Sequence, residues 1–328
     1  MNIRRRLIPT AAVTAVTAIA MGTLSACSSD STAAGNTGKF DVVASFYPMA
    51  FLAEQIGGDH VNVTSLTQPG QEPHDLEISA KQTVQLEKTD AALYLKGLQP
   101  SVDEAIGQSG VRTKIDAATL TTLETHGAED EHGHGDKGGH GDKGGHAGHS
   151  HETQGGKDPH VWLDPVKYAE VAEGVGKAFE KADPDHAVDY RKNTETLVGK
   201  LNALDTTFET GLKDRKTDVF ITTHASFGYF AERYGLTEEA INGLDPESEP
   251  SAARVKKLAE TAKADGVTTI FYETLVSDDT AKTVAGDAGL KTDVLDPLEG
   301  ITDTSRGDDY FEVMESNLKA LQTALGAA

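Results

Sequence analysis

From Lys39 onward, short apolar runs alternate with longer stretches in which apolar positions recur every three or four residues. This is the pattern of βα units laid on a parallel sheet. The runs predict strands over Phe40–Ala44, Val61–Leu66, Ala91–Leu95, Val219–Thr222, Thr268–Tyr272 and Thr292–Leu295. Helical periodicity marks Met49–Ile56, Lys81–Lys88, Val166–Lys181, Ala252–Ala264 and Tyr310–Ala324. The set occurs twice, so an α/β fold with two βα lobes, each built on a parallel sheet, is expected. Between the two sets, Tyr190, Leu197, Leu201, Leu204, Phe208 and Leu212 recur at steps of three, four and seven. That spacing predicts one face of a single long helix over about 185–213, starting just after Pro184 and running on the order of 40 Å. The alternative is two helices broken at Gly199.

The N-terminus has a different pattern. Arg4, Arg5 and Arg6 precede a short, threonine-interrupted apolar stretch that ends at Leu24, Ser25, Ala26 and Cys27. Such a stretch is too short to span a bilayer and reads as a cleaved export signal. Its ending resembles a bacterial lipobox, in which the cysteine is lipidated and becomes the mature N-terminus. Cys27 is the single cysteine of the chain, so its occurrence at this position carries weight, and a disulfide framework is excluded. Residues 28–38 hold nothing larger than alanine among their apolar positions and read as a flexible tether. The expected organisation is therefore a signal over 1–26, a tether over 27–38, a first βα lobe over 39–183, a linking helix over 184–214 and a second lobe over 215–328. Two or three acyl chains would hold the protein on the outer face of the cell membrane.

Over the 328 residues, 52 acidic side chains face 30 Lys and Arg, a formal net charge of −22. That balance argues against nucleic acid as a partner. Hydrophobic residues make up 38% of the chain, enough for each lobe to have its own core.

The twelve histidines fall into two populations. His126, His132, His134, His140, His146, His149 and His151 lie in a segment of Gly, Asp, Glu and Lys where HGDKGG occurs twice in tandem. A segment of this composition, 126–157, cannot offset its ordering entropy and is expected to be a disordered loop that captures borderline metal ions weakly and reversibly. Three others stand beside turn-forming residues. His74 is in QPGQEPHDLE, His160 in DPHVWLDP and His224 in FITTHASFGYF, directly after a predicted strand. Asp164 is placed to cap the following helix and Pro165 to start it. Ligands in open α/β sheets bind beyond the carboxyl ends of the strands, where these three imidazoles can converge. Asp296, in TDVLDPLEG, also follows a strand and is the expected fourth ligand. Three neutral imidazoles and one carboxylate form a tetrahedral set suited to Zn²⁺. His60 and His186 lack such a context and read as structural or solvated.

The segments SFYPMAFLAEQIGG, QPGQEPHDLE, DPHVWLDP, THASFGYFAERYGL and GLDPESEPS together resemble the metal-binding solute-binding lipoproteins of bacterial ABC importers, of the zinc-uptake type with a histidine-rich loop. The resemblance covers roughly Lys39 to Ala324. It implies two lobes joined by one long rigid helix, with a single metal held in the cleft between them by His74, His160, His224 and a carboxylate at Asp296. In some zinc-binding relatives a Glu or a water takes that fourth place. In manganese-selective relatives the third position is commonly Glu, so His224 points to zinc over Mn²⁺. Leu76 and Ile78 depart from the usual Tyr and Pro of the PHDLEIS segment. Glu77 and Glu273 are candidate acceptors for imidazole protons.

The expected function is a lipid-anchored, monomeric, extracytoplasmic receptor that takes up Zn²⁺ with high affinity and delivers it to an ABC permease without catalysis. A secreted zinc hydrolase is the rival from another class, but neither an HExxH pattern nor a GxSxG elbow is present. A manganese receptor of the same class, a surface adhesin and a passive zinc store are the remaining alternatives.

Overall fold

Two four-stranded parallel sheets frame the molecule in a computed structural model that describes residues 38–126 and 156–327. The expected signal over 1–26, Cys27, the tether up to Thr37, and loop residues His132, His134, His140, His146, His149 and His151 lie outside the described residues. The first lobe runs β1 (Phe40–Ala44), α1 (Tyr47–Gly57), β2 (Val61–Ser65), α2 (Ala80–Leu86), β3 (Ala91–Tyr94), α3 (Pro100–Gln108), β4 (Thr113–Asp116) and α4 (Pro165–Ala182). After α5 (Ala187–Gly211) the second lobe runs β5 (Val219–Thr222), α6 (Gly228–Tyr234), β6 (Thr237–Ala240), α7 (Ala252–Asp265), β7 (Thr269–Tyr272), α8 (Asp279–Ala288), β8 (Lys291–Val294) and α9 (Tyr310–Leu325).

The strand orders are β2-β1-β3-β4 and β6-β5-β7-β8, so each lobe has the same doubly wound topology. Register is set by pairs such as Val42 with both Val63 and Ala91, and Ile221 with Ile270. Val42, Val43, Ala44, Ala92, Leu93, Phe220 and Ile221 are all buried, as central strands covered on both faces must be. The order reverses between β1 and β3 and again between β5 and β7, which opens a crevice at the carboxyl ends of those strands.

All six predicted strands form. Two more, β4 and β6, are edge strands, and their sequences TKID and TEEA carry the polar residues that sheet edges tolerate. The long helix is continuous across Gly199, with a 3₁₀ turn at Pro184–His186 ahead of its first α-helical residue. Its 25 residues reach about 37 Å at about 1.5 Å per residue.

Helix α5 begins on the first lobe, where Asn193 donates to the Ile56 carbonyl at 3.0 Å. It ends on the second, where Arg233 of α6 grips Asp205 through two bonds of 2.7 and 2.6 Å and Phe208 packs on Phe230 and Tyr234. His60 and His186 flank its start as a stacked pair 4.1 Å apart, each also bonded to an aspartate.

One apolar cluster extends from β1 and α1 through α4 and α5 to α6 and α9, so the lobes share a core. Trp162 sits in it with no exposed surface and donates from Nε1 to the carbonyl of Pro297 at 2.7 Å, which ties the two lobes beside the crevice. Truncating a side chain packed in this way costs on the order of 3–5 kcal/mol. No helix among the described residues is long and apolar enough to cross a membrane.

Candidate metal centre

Four loops bring ligand atoms to the crevice. His74 stands in the segment between β2 and α2, where Glu72 turns the chain by accepting the backbone N–H groups of His74 and Asp75 at 3.0 and 3.1 Å. His160 precedes a 3₁₀ turn, Val161–Leu163, and α4 follows with Asp164 accepting the Val166 N–H at 2.8 Å and Pro165 in its first turn, as the sequence predicts. His224 lies two residues beyond β5, and its carbonyl accepts from the Thr222 hydroxyl at 2.9 Å. The fourth group is Glu299, from the chain after β8.

The three Nε2 atoms converge on one oxygen, Glu299 Oε1, at 3.1 Å from His74, 3.3 Å from His160 and 3.4 Å from His224. Ring centroids stand 5.4 to 5.9 Å apart. Ligand atoms of all four residues lie within 4.8 Å of one another, which suits a single cation between them. Nε2 of His160, Nε2 of His224 and Oε2 of Glu299 are buried yet lack a hydrogen-bond partner. Buried polar atoms are ordinarily paired, so three orphans facing one centre mark a place built for a cation.

Carboxylates behind the imidazoles fix how they point. The wholly buried His160 donates from Nδ1 to Asp158 Oδ1 at 2.7 Å, and its backbone N–H reaches the same oxygen at 2.9 Å. His224 donates from Nδ1 to Glu273 Oε1 at 2.9 Å, an oxygen that also accepts the Thr223 hydroxyl at 2.6 Å. With Nδ1 engaged, each neutral ring presents its Nε2 lone pair to the centre.

The electrostatics of the metal-free site follow from this packing. Burial alone would depress His160, but Asp158 beside it outweighs burial and lifts it to about 9. His224 is likewise raised against its burial, by Glu273 and Glu299. Burial would raise Glu299, yet His74 and the other two imidazoles hold it well below the usual carboxylate range.

The structure brings His74, His160 and His224 together, and it is Glu299 rather than Asp296 that stands with them. Asp296 is buried but is not part of the cluster. Its Oδ1 accepts the Leu298 N–H at 2.8 Å and its Oδ2 the Thr274 hydroxyl at 3.0 Å, while Asn317 bonds its backbone N–H and carbonyl at 2.9 and 2.7 Å. Asp296 therefore shapes the turn that carries Glu299 into the cleft. Leu298 within that turn has φ 58°, a left-handed conformation that a leucine rarely adopts and that persists only where the surroundings enforce it. Of the two candidate proton acceptors, Glu273 takes that role, whereas Glu77 is exposed.

The model of the ZnuA family, described as zinc-uptake complex component A periplasmic, matches residues 42–324. The zinc-binding lipoprotein AdcA of Streptococcus pneumoniae is 38% identical over 305 residues, covering 91% of this chain; this chain spans only 58% of that relative's length. The high-affinity zinc uptake system protein ZnuA of Bacillus subtilis is 37% identical over 311 residues, covering 92% of this chain and 93% of that protein. The crystal structure of the Zn(II)-bound ZnuA-like domain of S. pneumoniae AdcA superposes with a TM-score of 0.69 at 34% identity, covering 88% of this chain and 99% of that domain.

Proposed function

This chain belongs to the ZnuA family of zinc-uptake components, and on that footing we propose that it is the extracytoplasmic receptor of a zinc importer. It binds one Zn²⁺ in the cleft through His74, His160, His224 and Glu299 and passes it to an ABC-type permease, itself held at the membrane as a monomer by lipid on Cys27. The observation that carries this reading is the convergence of three imidazole Nε2 atoms on Glu299 with buried orphan atoms facing the same centre. Three nitrogens and one oxygen favour Zn²⁺ over Mn²⁺, which prefers carboxylates, carbonyls and water. The family is one of uptake components rather than enzymes. Because the lobes share one core, release falls to movement of the ligand-bearing loops and not to a wide hinge.

Melting the full chain against a panel of ions tests the assignment. Zn²⁺ at about 1,000 times its dissociation constant stabilises the native state by roughly 4 kcal/mol, seen as a rise in Tm larger than that with Mn²⁺. An equal or larger response to Mn²⁺, or none to Zn²⁺, would overturn it.

The carboxylate behind His224 gives a second test. Glu273→Gln keeps the volume but removes the charge that orients the ring, and the affinity for Zn²⁺ falls about 10- to 100-fold in a chelator competition titration. Unchanged affinity would show that Glu273 has no part in holding the ligand.

A further inference from the structure

Away from the cleft, one more imidazole is seated as metal ligands usually are. The sequence groups His126 with the loop histidines, yet the structure holds it firmly. Its Nδ1 donates to Asp158 Oδ2 at 2.9 Å, its ring stands edge-on to Tyr229 at 4.5 Å, and its Nε2 faces Glu232 Oε2 at 3.2 Å. A Cβ at residue 228 would lie 2.4 Å from the Cβ of His126, so the seat exists because that residue is glycine. Glu124 completes the group, and ligand atoms of Glu124, His126 and Glu232 lie within 4.8 Å of one another. Lys167, 2.9 Å from Glu124 Oε1, offsets part of the carboxylate charge.

Two features separate this group from an ordinary surface ion pair. The imidazole is backed on Nδ1 by a wholly buried carboxylate, the same device that orients His160 and His224. That carboxylate is also shared: Asp158 takes His160 on Oδ1 and His126 on Oδ2, so one buried side chain orients an imidazole of the cleft and an imidazole outside it. Asp158 is fixed in turn by its backbone, with its N–H donated to the Glu124 carbonyl at 2.9 Å and its carbonyl accepting the Tyr229 hydroxyl at 2.8 Å.

We propose that Glu124, His126 and Glu232 form a second site for a borderline divalent cation such as Zn²⁺, weaker than the cleft and open to water in its remaining coordination positions. One imidazole among carboxylates selects ions of the Zn²⁺, Ni²⁺ and Cu²⁺ kind over Mg²⁺ and Ca²⁺, which favour all-oxygen sets. The group stands directly before residues 127–155 and next to the cleft wall, where an ion bound first at the surface is one shared carboxylate from the tight site. The proposal does not depend on what the cleft binds.

The test uses the full chain with His132, His134, His140, His146, His149 and His151 replaced by serine, which removes the imidazole background. Equilibrium dialysis against Zn²⁺ is expected to give two ions per chain. Glu232→Ala in that background, at a largely exposed helical position that tolerates alanine, weakens the second ion at least tenfold and leaves the first unchanged. His224→Ala does the reverse; a His224→Ala chain that still binds both ions sinks the cleft assignment and leaves this one standing. A single ion per chain with Glu124, His126 and Glu232 intact, or a second ion indifferent to Glu232→Ala, would overturn the proposal.

Discussion

Glu299→Ala weakens zinc binding by about two orders of magnitude, whereas Asp296→Asn, three residues earlier, changes it less than tenfold. The first expectation follows from the convergence of all three imidazoles on the Glu299 carboxylate. Structural zinc sites with four ligands bind with roughly 10–16 kcal/mol, so one ligand carries about 3 kcal/mol, which is about a hundredfold in affinity. His160→Ala and His224→Ala lose as much, because both imidazoles are buried and held in place by carboxylates. The second expectation follows from what the Asp296 carboxylate touches, an N–H and a hydroxyl. An asparagine keeps an oxygen for the Leu298 N–H, so the turn survives and the chain loses stability more than affinity. A chelator competition titration on the variants reads both, and a larger loss for Asp296→Asn than for Glu299→Ala would return the fourth ligand to the position the sequence suggests.

Zinc binding at pH 7 releases at least one proton per ion. Without a bound ion His160 sits at about 9, so its ring is charged at neutral pH and must deprotonate to coordinate, and Glu273 and Glu299 shift His224 in the same direction. Apparent affinity therefore climbs at least tenfold per pH unit through the neutral range, a higher window than free histidine would give. For the metal-free chain the sign is opposite. An imidazole raised from 6.5 to about 9 by folding stabilises the native state fully below about 6.5, and that contribution is lost as pH rises through about 9. Alkaline pH thus weakens the empty protein while strengthening its hold on zinc. Calorimetry in buffers of different ionisation enthalpy counts the protons, and zinc uptake without proton release would contradict charged imidazoles in the empty site.

The three histidines are legible in the sequence because each sits in a short run of chain punctuation: proline before His74, DPH before the capping Asp164, and a strand end before His224. Glu299 is not, because Asp296 occupies the place directly after β8 where a ligand is expected. The signal that points to Glu299 is the run DPLEG, in which an aspartate able to bond the backbone two residues on makes a turn and directs the glutamate into the cleft. His126 shares its polar neighbourhood with the loop histidines, and its anchor, Asp158, is 32 residues further along the chain, beyond the reach of any local pattern.

At the level of fold, the central strands and α5 follow from apolar periodicity, since buried faces leave a repeat in the sequence. The edges do not. In β6, Glu238 lies inside the lobe, accepting from the Thr222 hydroxyl at 2.7 Å and from the Phe227 N–H, so TEEA carries no apolar alternation to detect. Burial lifts this carboxylate to about 7.

The central claim is that one cation sits where the two lobes meet, on three imidazoles and Glu299. A crystal structure of the zinc-loaded chain, with the ion located by anomalous scattering at the zinc edge, measures this directly. The account predicts one strong peak about 2.0–2.2 Å from Nε2 of His74, His160 and His224 and from an oxygen of Glu299. A peak on Asp296, or no ion in the cleft of a chain that retains zinc, would contradict it.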